Sequence, residues 1–404
     1  MRGILLGSIL VVCLAACQKG ENATARITPV GCDNSFAVTD YDNVWLFDYE
    51  PSTTSLKLAS MLKFGRGEVS QANYLCEAQV LAVSYSYRGK RQTDAGIDFI
   101  GKDSIRSLSL NEEVANNFIP YGRSILLGTG RVRRAPIDER LGYLAPSERT
   151  DQLTREWPDI PESGPHKEKP EHIFVELLEV SAETATVARR LRLHNVGRFW
   201  IDGDQLIVST EPLMAMDINT GVRRKLFAFA EAHNARYGDV FLNLHYVGGR
   251  FFAVTGNRVG LRGKSSFKKN AVYALDIANS TWREVARLPF VAEHMLGTGE
   301  NIFIFGNHEM AKFSIASGIL TVQPMNFGAN VPTASAELAA GYALLLSHPQ
   351  PQGMPDSYWG GELFIYDKNF EQVLARHRID EIGLVNITSR RTPFPSGPSF
   401  SSLL

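Results

Sequence analysis

No run in this chain reaches the roughly 18 apolar residues a helix needs to cross a bilayer. Net charge is nearly absent too. Its 42 Lys and Arg stand against 43 Asp and Glu, leaving −1, so the chain lacks the basic footprint of a nucleic-acid binder. Cysteine is scarce, four in 404 residues, with no CxxC pair among them. Familiar active-site signatures are missing as well. There is no Gly-x-Ser-x-Gly elbow, no His-Glu-x-x-His and no Walker loop. The Ser-x-Asp-x-Gly-x-x-Trp box of sialidase propellers is absent, and Asp276 to Trp282 is only an echo of it. No catalytic residue and no cofactor can therefore be assigned, and the balance leans away from an enzyme.

What is present begins at the N-terminus. One positive charge, Arg2, precedes an apolar run from Ile4 to Ala16 that is interrupted only by Gly7 and Ser8. A charged start with a short apolar run reads as a signal segment, residues 1–16, and not as part of the fold. Its end, Leu14-Ala15-Ala16-Cys17, resembles the lipobox of bacterial lipoproteins. That resemblance implies cleavage before Cys17, a diacylglycerol on its thiol and an acylated new amino terminus, which together give stable anchoring. An ordinary secretory signal with a stray cysteine is the alternative. Gln18, where an inner-membrane retention signal would show Asp, favours the outer membrane facing the periplasm by the same resemblance. Residues 17–30 then read as a tether. With Cys17 lipidated, Cys32 and Cys76 remain as an even pair in an oxidising compartment. They are expected to be either a disulfide linking the start of the fold to its next repeat, or two buried thiols.

The rest of the chain repeats itself. His194 to Ile201, His245 to Phe252 and His294 to Ile304 share a pattern in which Gly197, Gly248 and Gly297 stand 51 and 49 residues apart. Each glycine is expected to open a turn into an apolar run. The second half of the unit repeats as Leu213 to Gly221, Val272 to Ser280 and Glu309 to Gly318. Looser versions end at Asp48, Glu179 and Asp367. These runs are rich in β-branched and aromatic residues, and a short acid or serine at a strand end can close a turn through backbone N–H groups. Asp48, Asp217, Asp276 and Asp367 are accordingly expected to be turn residues. Short strands at a period near 50 predict an all-β fold, a β-propeller of about seven four-stranded blades. Its units are expected over 36–64, 72–110, 115–193, 195–228, 239–290, 291–325 and 334–380. Ile382 to Arg390 is expected to complete the first blade and close the ring, within a propeller domain of 31–390 followed by a tail of 391–404.

Gly249 to Asn257, Val272 to Asp276 and Trp282 to Pro289 resemble a kelch repeat. The departure is that Gly256-Asn257 and Gly306-Asn307 stand where kelch repeats carry Gly-Gly. Leu213 to Gly221 resembles instead the quinoprotein type of blade. Both resemblances imply the fold and little about activity.

Two features are candidate sites. His194, His245 and His294 recur in three successive units. Either they converge on the channel as ligands of a divalent metal, or each packs and hydrogen-bonds within its own blade. Ile119 and Leu338 stand at the corresponding place elsewhere, so a histidine ring would be incomplete. The second feature is an insertion over 131–171, where a blade needs only a hairpin turn. It carries Arg133, Arg134, Arg155 and Trp157, the residue mix of binding hot spots, with a helix expected over Ser147 to Glu156. A smaller basic loop, Gly260 to Asn270, could attract an anionic surface. The expectation is thus a monomeric, membrane-anchored platform in the cell envelope that binds an envelope protein or a ligand. A glycan-directed hydrolase or lyase with its site at the channel mouth is the alternative.

Overall fold

The computed structural model describes residues 26–40, 42–64, 67–86, 95–111, 113–133, 172–192, 199–208, 213–227, 241–256, 267–276, 279, 281–348, 359–379 and 386–393. Its 28 strands form seven four-stranded antiparallel sheets. The first blade holds β1 (Ser35–Thr39), β2 (Asn43–Glu50) and β3 (Ser55–Lys63), and the second β4 (Glu68–Leu75), β5 (Val80–Ser86), β6 (Ala95–Ile100) and β7 (Ile105–Asn111). The third holds β8 (Glu113–Tyr121), β9 (Ser124–Arg133), β10 (His172–Ser181) and β11 (Thr186–Arg192). The fourth holds β12 (Phe199–Asp202), β13 (Gln205–Val208), β14 (Leu213–Asp217) and β15 (Arg223–Phe227). The fifth follows with β16 (Phe241–Val247), β17 (Arg250–Thr255), β18 (Ala271–Asp276) and β19 (Thr281–Arg287). The sixth holds β20 (His294–Gly297), β21 (Asn301–Phe305), β22 (Glu309–Ser314) and β23 (Leu320–Pro324). The seventh holds β24 (Val331–Glu337), β25 (Tyr342–His348), β26 (Trp359–Tyr366) and β27 (Val373–Ile379), and β28 (Asn386–Ser389) returns to the first.

Every blade is a plain meander, and strand burial explains its layering. The second strand of a blade is sealed on both faces, as in β21, where Ile302, Phe303, Ile304 and Phe305 are all buried. The outermost strand alternates, as in β19, where Thr281, Arg283 and Arg287 are exposed between half-buried neighbours. Seven apolar clusters weld neighbouring blades around the ring. Between blades seven and one, for example, Phe36 and Phe47 pack with Ala334, Leu345 and Ile365. Between three and four, Ile119 and Leu126 meet Phe199 and Leu206, and between four and five Ile207 meets Phe251. The remaining welds join one to two, two to three, five to six and six to seven.

Ring closure is by β28, which pairs antiparallel with β1 in the register Phe36↔Ser389 to Thr39↔Asn386. The last strand thus becomes the innermost strand of the first blade, covers the inner edge of β1 and ties the two ends of the fold into one sheet. The seven expected units match the sheets to within four residues at each boundary.

One local expectation needs correcting. Asp217, Asp276 and Asp367 do close turns, accepting from the backbone N–H of Thr220 at 2.7 Å, Asn279 at 3.0 Å and Glu371 at 2.7 Å. Asp48 does not. It sits inside β2 opposite Ser35 and Lys57, because β2 runs on to Glu50 before the chain turns at Pro51 to Thr54. Burial raises the Asp48 pKa, opposed by the Gly31 N–H that the carboxylate accepts.

Candidate channel-mouth site

Inner strands of a propeller run side by side around its axis, and the ends of five of them surround a cavity of about 490 Å³. The walls come from the C-terminal parts of β4, β8, β12, β16 and β20, with Trp200 and Ile201, Leu244 to Tyr246, and Met295 to Gly297 among them. Arg390 to Pro393, the segment that leaves β28, supply the remaining wall.

That segment is fixed in place. Thr392 donates its N–H to the Ser389 Oγ at 3.0 Å, and its own carbonyl accepts from the Ser389 N–H at 2.9 Å. Its hydroxyl accepts the Glu337 N–H of the seventh blade at 2.9 Å. The Pro393 carbonyl accepts from Gln71 Nε2 of the second blade at 2.6 Å. The start of the expected tail is therefore a strap between two blades at the channel mouth.

Gln71 does more than hold the strap. Its amide donates to the Phe118 carbonyl at 2.7 Å and accepts the Phe118 N–H at 3.0 Å, joining β4 to β8. β8 is the innermost strand of its blade, so these Phe118 groups lie on its open edge and find their partner in Gln71. Nearby, Asn73 donates to the Ser389 carbonyl at 3.4 Å, and the Thr388 hydroxyl donates to the Ala72 carbonyl. Buried polar groups near the axis are thus spent on blade-to-blade bonds.

The histidines follow the same rule, which corrects the expectation that they bond within their own blades. His245 lies on β16 and its Nε2 meets the Thr298 carbonyl of the sixth blade at 2.8 Å. A carbonyl can only accept, so Nε2 carries the hydrogen and the ring is the Nε2–H tautomer. Burial pushes the His245 pKa down, with the Thr298 bond opposing. His294 is buried on β20 and its Nε2 meets the Ser335 hydroxyl of the seventh blade at 2.7 Å, its ring stacked on Phe305 at 5.9 Å. The two histidines are not equivalent in height. His245 pairs with Phe252, two pairs before the Val247–Arg250 pair at the hairpin. His294 pairs with Phe305, four before the Thr298–Asn301 pair that closes its own hairpin. Two residues of strand put them roughly 7 Å apart along the channel direction. Among the described residues no group of three His, Cys, Asp or Glu is placed to hold a metal ion. His194 lies outside the described residues.

Aromatic side chains form a shelf at the cavity wall. Trp200 and Tyr246 have ring centroids 6.4 Å apart, and both rest on Phe251, at 5.5 Å and 4.8 Å. The Tyr246 hydroxyl donates to Asp202 at 2.7 Å, and burial, with that bond and that charge, raises its pKa to about 12. Across the cavity, Arg390 pairs with Asp33 and Arg391 with Glu337, each at 3.7 Å. The sequence pointed to the channel mouth as an alternative site and to His245, which lines the cavity, but not to the other wall residues, which come from five blades and the strap. A further signal was Trp200 beside the repeated Gly-Arg-Phe pattern.

Cys32 and Cys76 form a disulfide with Cα atoms 5.5 Å apart, tying the segment before β1 to the end of β4. Arg133 ends β9, and its backbone pairs with His172. Arg134, Arg155 and Trp157, the helix expected over 147–156, and Cys17 lie outside the described residues. From the basic loop, Lys268 pairs with Glu284 at 3.1 Å.

No protein-family model matches the chain, and no curated protein matches it. Solved structures do resemble it, a WD40 domain among them. The WD40 domain of Pan2 from Neurospora crassa is 10% identical over 79% of this chain and 85% of that one, with a TM-score of 0.46. Apo AztD from Citrobacter koseri is 10% identical over 90% and 99%, at 0.46. An acylaminoacyl peptidase from Pyrococcus horikoshii is 11% identical over 87% and 52%, also at 0.46. The seven-bladed architecture itself rests on the sheets described above.

Proposed function

We propose that this chain is a lipid-tethered β-propeller that binds a ligand or a protein partner in the bacterial cell envelope, with the channel-mouth cavity as its site. The cavity carries the reading. Its volume of about 490 Å³ falls within the range of roughly 300–1,000 Å³ usual for ligand sites. Its walls combine an aromatic shelf, Trp200 and Tyr246, with a few polar groups, as such sites require. His245, Tyr246, Arg390 and Arg391 are each already engaged by a protein partner. Groups held in that way shape and orient a guest; proton transfer would need them released.

In this reading Cys17 carries the acyl anchor, residues 17–30 are the tether, and the outer membrane facing the periplasm is the location. The 131–171 insertion offers Arg133, Arg134, Arg155 and Trp157 as a second contact. The test is a crosslinking pull-down from intact membranes with three chains: the parent, one lacking 131–171, and Trp200→Ala/Tyr246→Ala. A partner lost with the shelf variant and kept by the deletion supports the cavity. A partner lost only with the deletion moves the site to the insertion, and identical profiles with nothing enriched reject the platform. Mass spectrometry of the mature N-terminus, against Cys17→Ser, tests the anchor separately.

A further inference from the structure

The charge of this nearly neutral chain is not spread evenly over the ring. Six of the seven outermost strands carry Lys or Arg, and β23 carries no charge. The only acid on any of the seven is Glu284, which is bonded to Lys268 and Arg287. Charged residues on an open edge discourage edge-to-edge pairing, and lysine is the usual choice. Here arginine outnumbers lysine ten to three on these strands. Edge protection accounts for charge. It does not account for thirteen cations against one acid, nor for arginine, whose planar fork matches a phosphate in two-point contact.

The cations are also concentrated. The outermost strands of the third and fourth blades, β11 and β15, hold Arg189, Arg190, Arg192, Arg223, Arg224 and Lys225 within twelve residues, with no acid among them, while Glu176 and Glu179 stand opposite Arg192 and Arg189 on β10. Arg190, Arg223 and Arg224 are exposed. Arg189 pairs with Glu179 at 2.9 Å and donates to the Ile218 carbonyl of the fourth blade, which ties the outer edge of the third blade to the β14–β15 turn of the fourth.

The chain enters the fold at the rim and not at the channel. The Ile27 N–H reaches the Gly101 carbonyl in the β6–β7 turn at 3.5 Å, and the Thr28 N–H reaches the Ser60 hydroxyl on β3 at 2.9 Å. A tether leaving between the first and second blades lets the ring lie edge-on to whatever holds it, with the third blade next around.

We propose that the edge formed by β11 and β15 docks on the phosphate headgroups of an anionic bilayer, holding the propeller edge-on with its channel parallel to the membrane. The proposal rests on the tethered reading for its setting, but its chemistry needs no acyl chain. It is tested on a chain starting at residue 17 with Cys17→Ser, so failure of lipidation and failure of docking are read in different experiments. Sedimentation with vesicles of 30% phosphatidylglycerol in phosphatidylcholine should capture the chain at ~0.1 M salt and release it at ~0.5 M, where the screening length falls to a few ångströms. Arg190→Glu/Arg223→Glu/Arg224→Glu should lower association at least tenfold. The pair Arg376→Glu/Arg378→Glu, across the ring on β27, should change it less than twofold, whereas the pair Arg223→Glu/Arg224→Glu, equal to it in charge, should lower it at least fivefold. Replacing the same three arginines by lysine keeps charge and fold and should cost about threefold. Equal binding to pure phosphatidylcholine, or unchanged binding of the Glu variant, overturns the proposal. Self-association of the Glu variant with vesicle binding intact overturns it too and leaves edge protection as the role.

Discussion

His245 of the fifth blade occupies the space in which Gly297 of the sixth would carry a side chain: a Cβ there would overlap the imidazole ring. Gly297 is thus required by its neighbour and not by a turn. Gly248 and Gly249, at φ 55° and 75°, are the ones that make the tight hairpin. Gly297→Ala should destabilise the fold by about 2 kcal/mol, the usual cost of overpacking. His245→Ala in the same chain should recover part of that loss, and a double-mutant cycle by urea denaturation reads the coupling. If Gly297→Ala is neutral, the ring is not where the structure puts it.

The same histidine sets a pH dependence. Its folded pKa lies below the ordinary imidazole value of about 6.5 because burial disfavours the imidazolium. Between the folded and unfolded pKa values the unfolded chain binds more protons, so stability rises with pH there. The contribution is complete above about 6.5 and is lost as pH falls through that value toward the folded pKa. His245→Gln should flatten the profile of denaturation midpoint between pH 7.5 and 5 relative to the parent. Parallel profiles for the two chains would mean that His245 is solvated.

Gln71 is the second cross-blade element whose removal is predictable. Gln71→Leu keeps the volume but strips partners from the Phe118 N–H and carbonyl and from the Pro393 carbonyl. Leaving buried backbone groups unpaired costs about 1–3 kcal/mol each, and partial rewetting should hold the total near 3 kcal/mol. Hydrogen exchange at the Phe118 amide should quicken with it. A stability loss below about 0.5 kcal/mol would show that water replaces the side chain freely.

Much of the ring was legible because its determinants are local. The Asp217, Asp276 and Asp367 turns and the sealed second strands lie within a few residues of one another. Their spacing marks the blades without any long-range information. Closure by β28 was legible for a related reason, since one blade lacked a strand and one segment remained. The roles of His245 and His294 were not legible, because a side chain on one inner strand answers to the strand of the next blade. Even their apparent equivalence misleads, since the sixth hairpin turns two pairs later than the fifth. Of the cavity only its place at the channel mouth and His245 were legible; the rest of its wall is assembled from five blades and the strap.

The last prediction concerns the covalent tie. The Cys32–Cys76 disulfide closes a sequence separation of 44 and fixes the segment before β1 to the β4–β5 hairpin, beside the weld in which Ile27, Ala37 and Tyr74 pack. By the chain-entropy relation, a loop of that length constrains the unfolded state by about 4 kcal/mol. For a chain of this size that corresponds to roughly 5 °C in Tm. Cys32→Ala/Cys76→Ala should therefore melt about that much lower than the oxidised parent, and adding a reductant to the parent should reproduce the shift. The ring itself should survive, because β1 keeps its ladder with β28 and the first weld keeps its apolar partners. The far-ultraviolet spectrum below the transition should therefore be unchanged. Loss of that spectrum in the double variant would mean that the disulfide, and not the returning strand, is what closes the propeller.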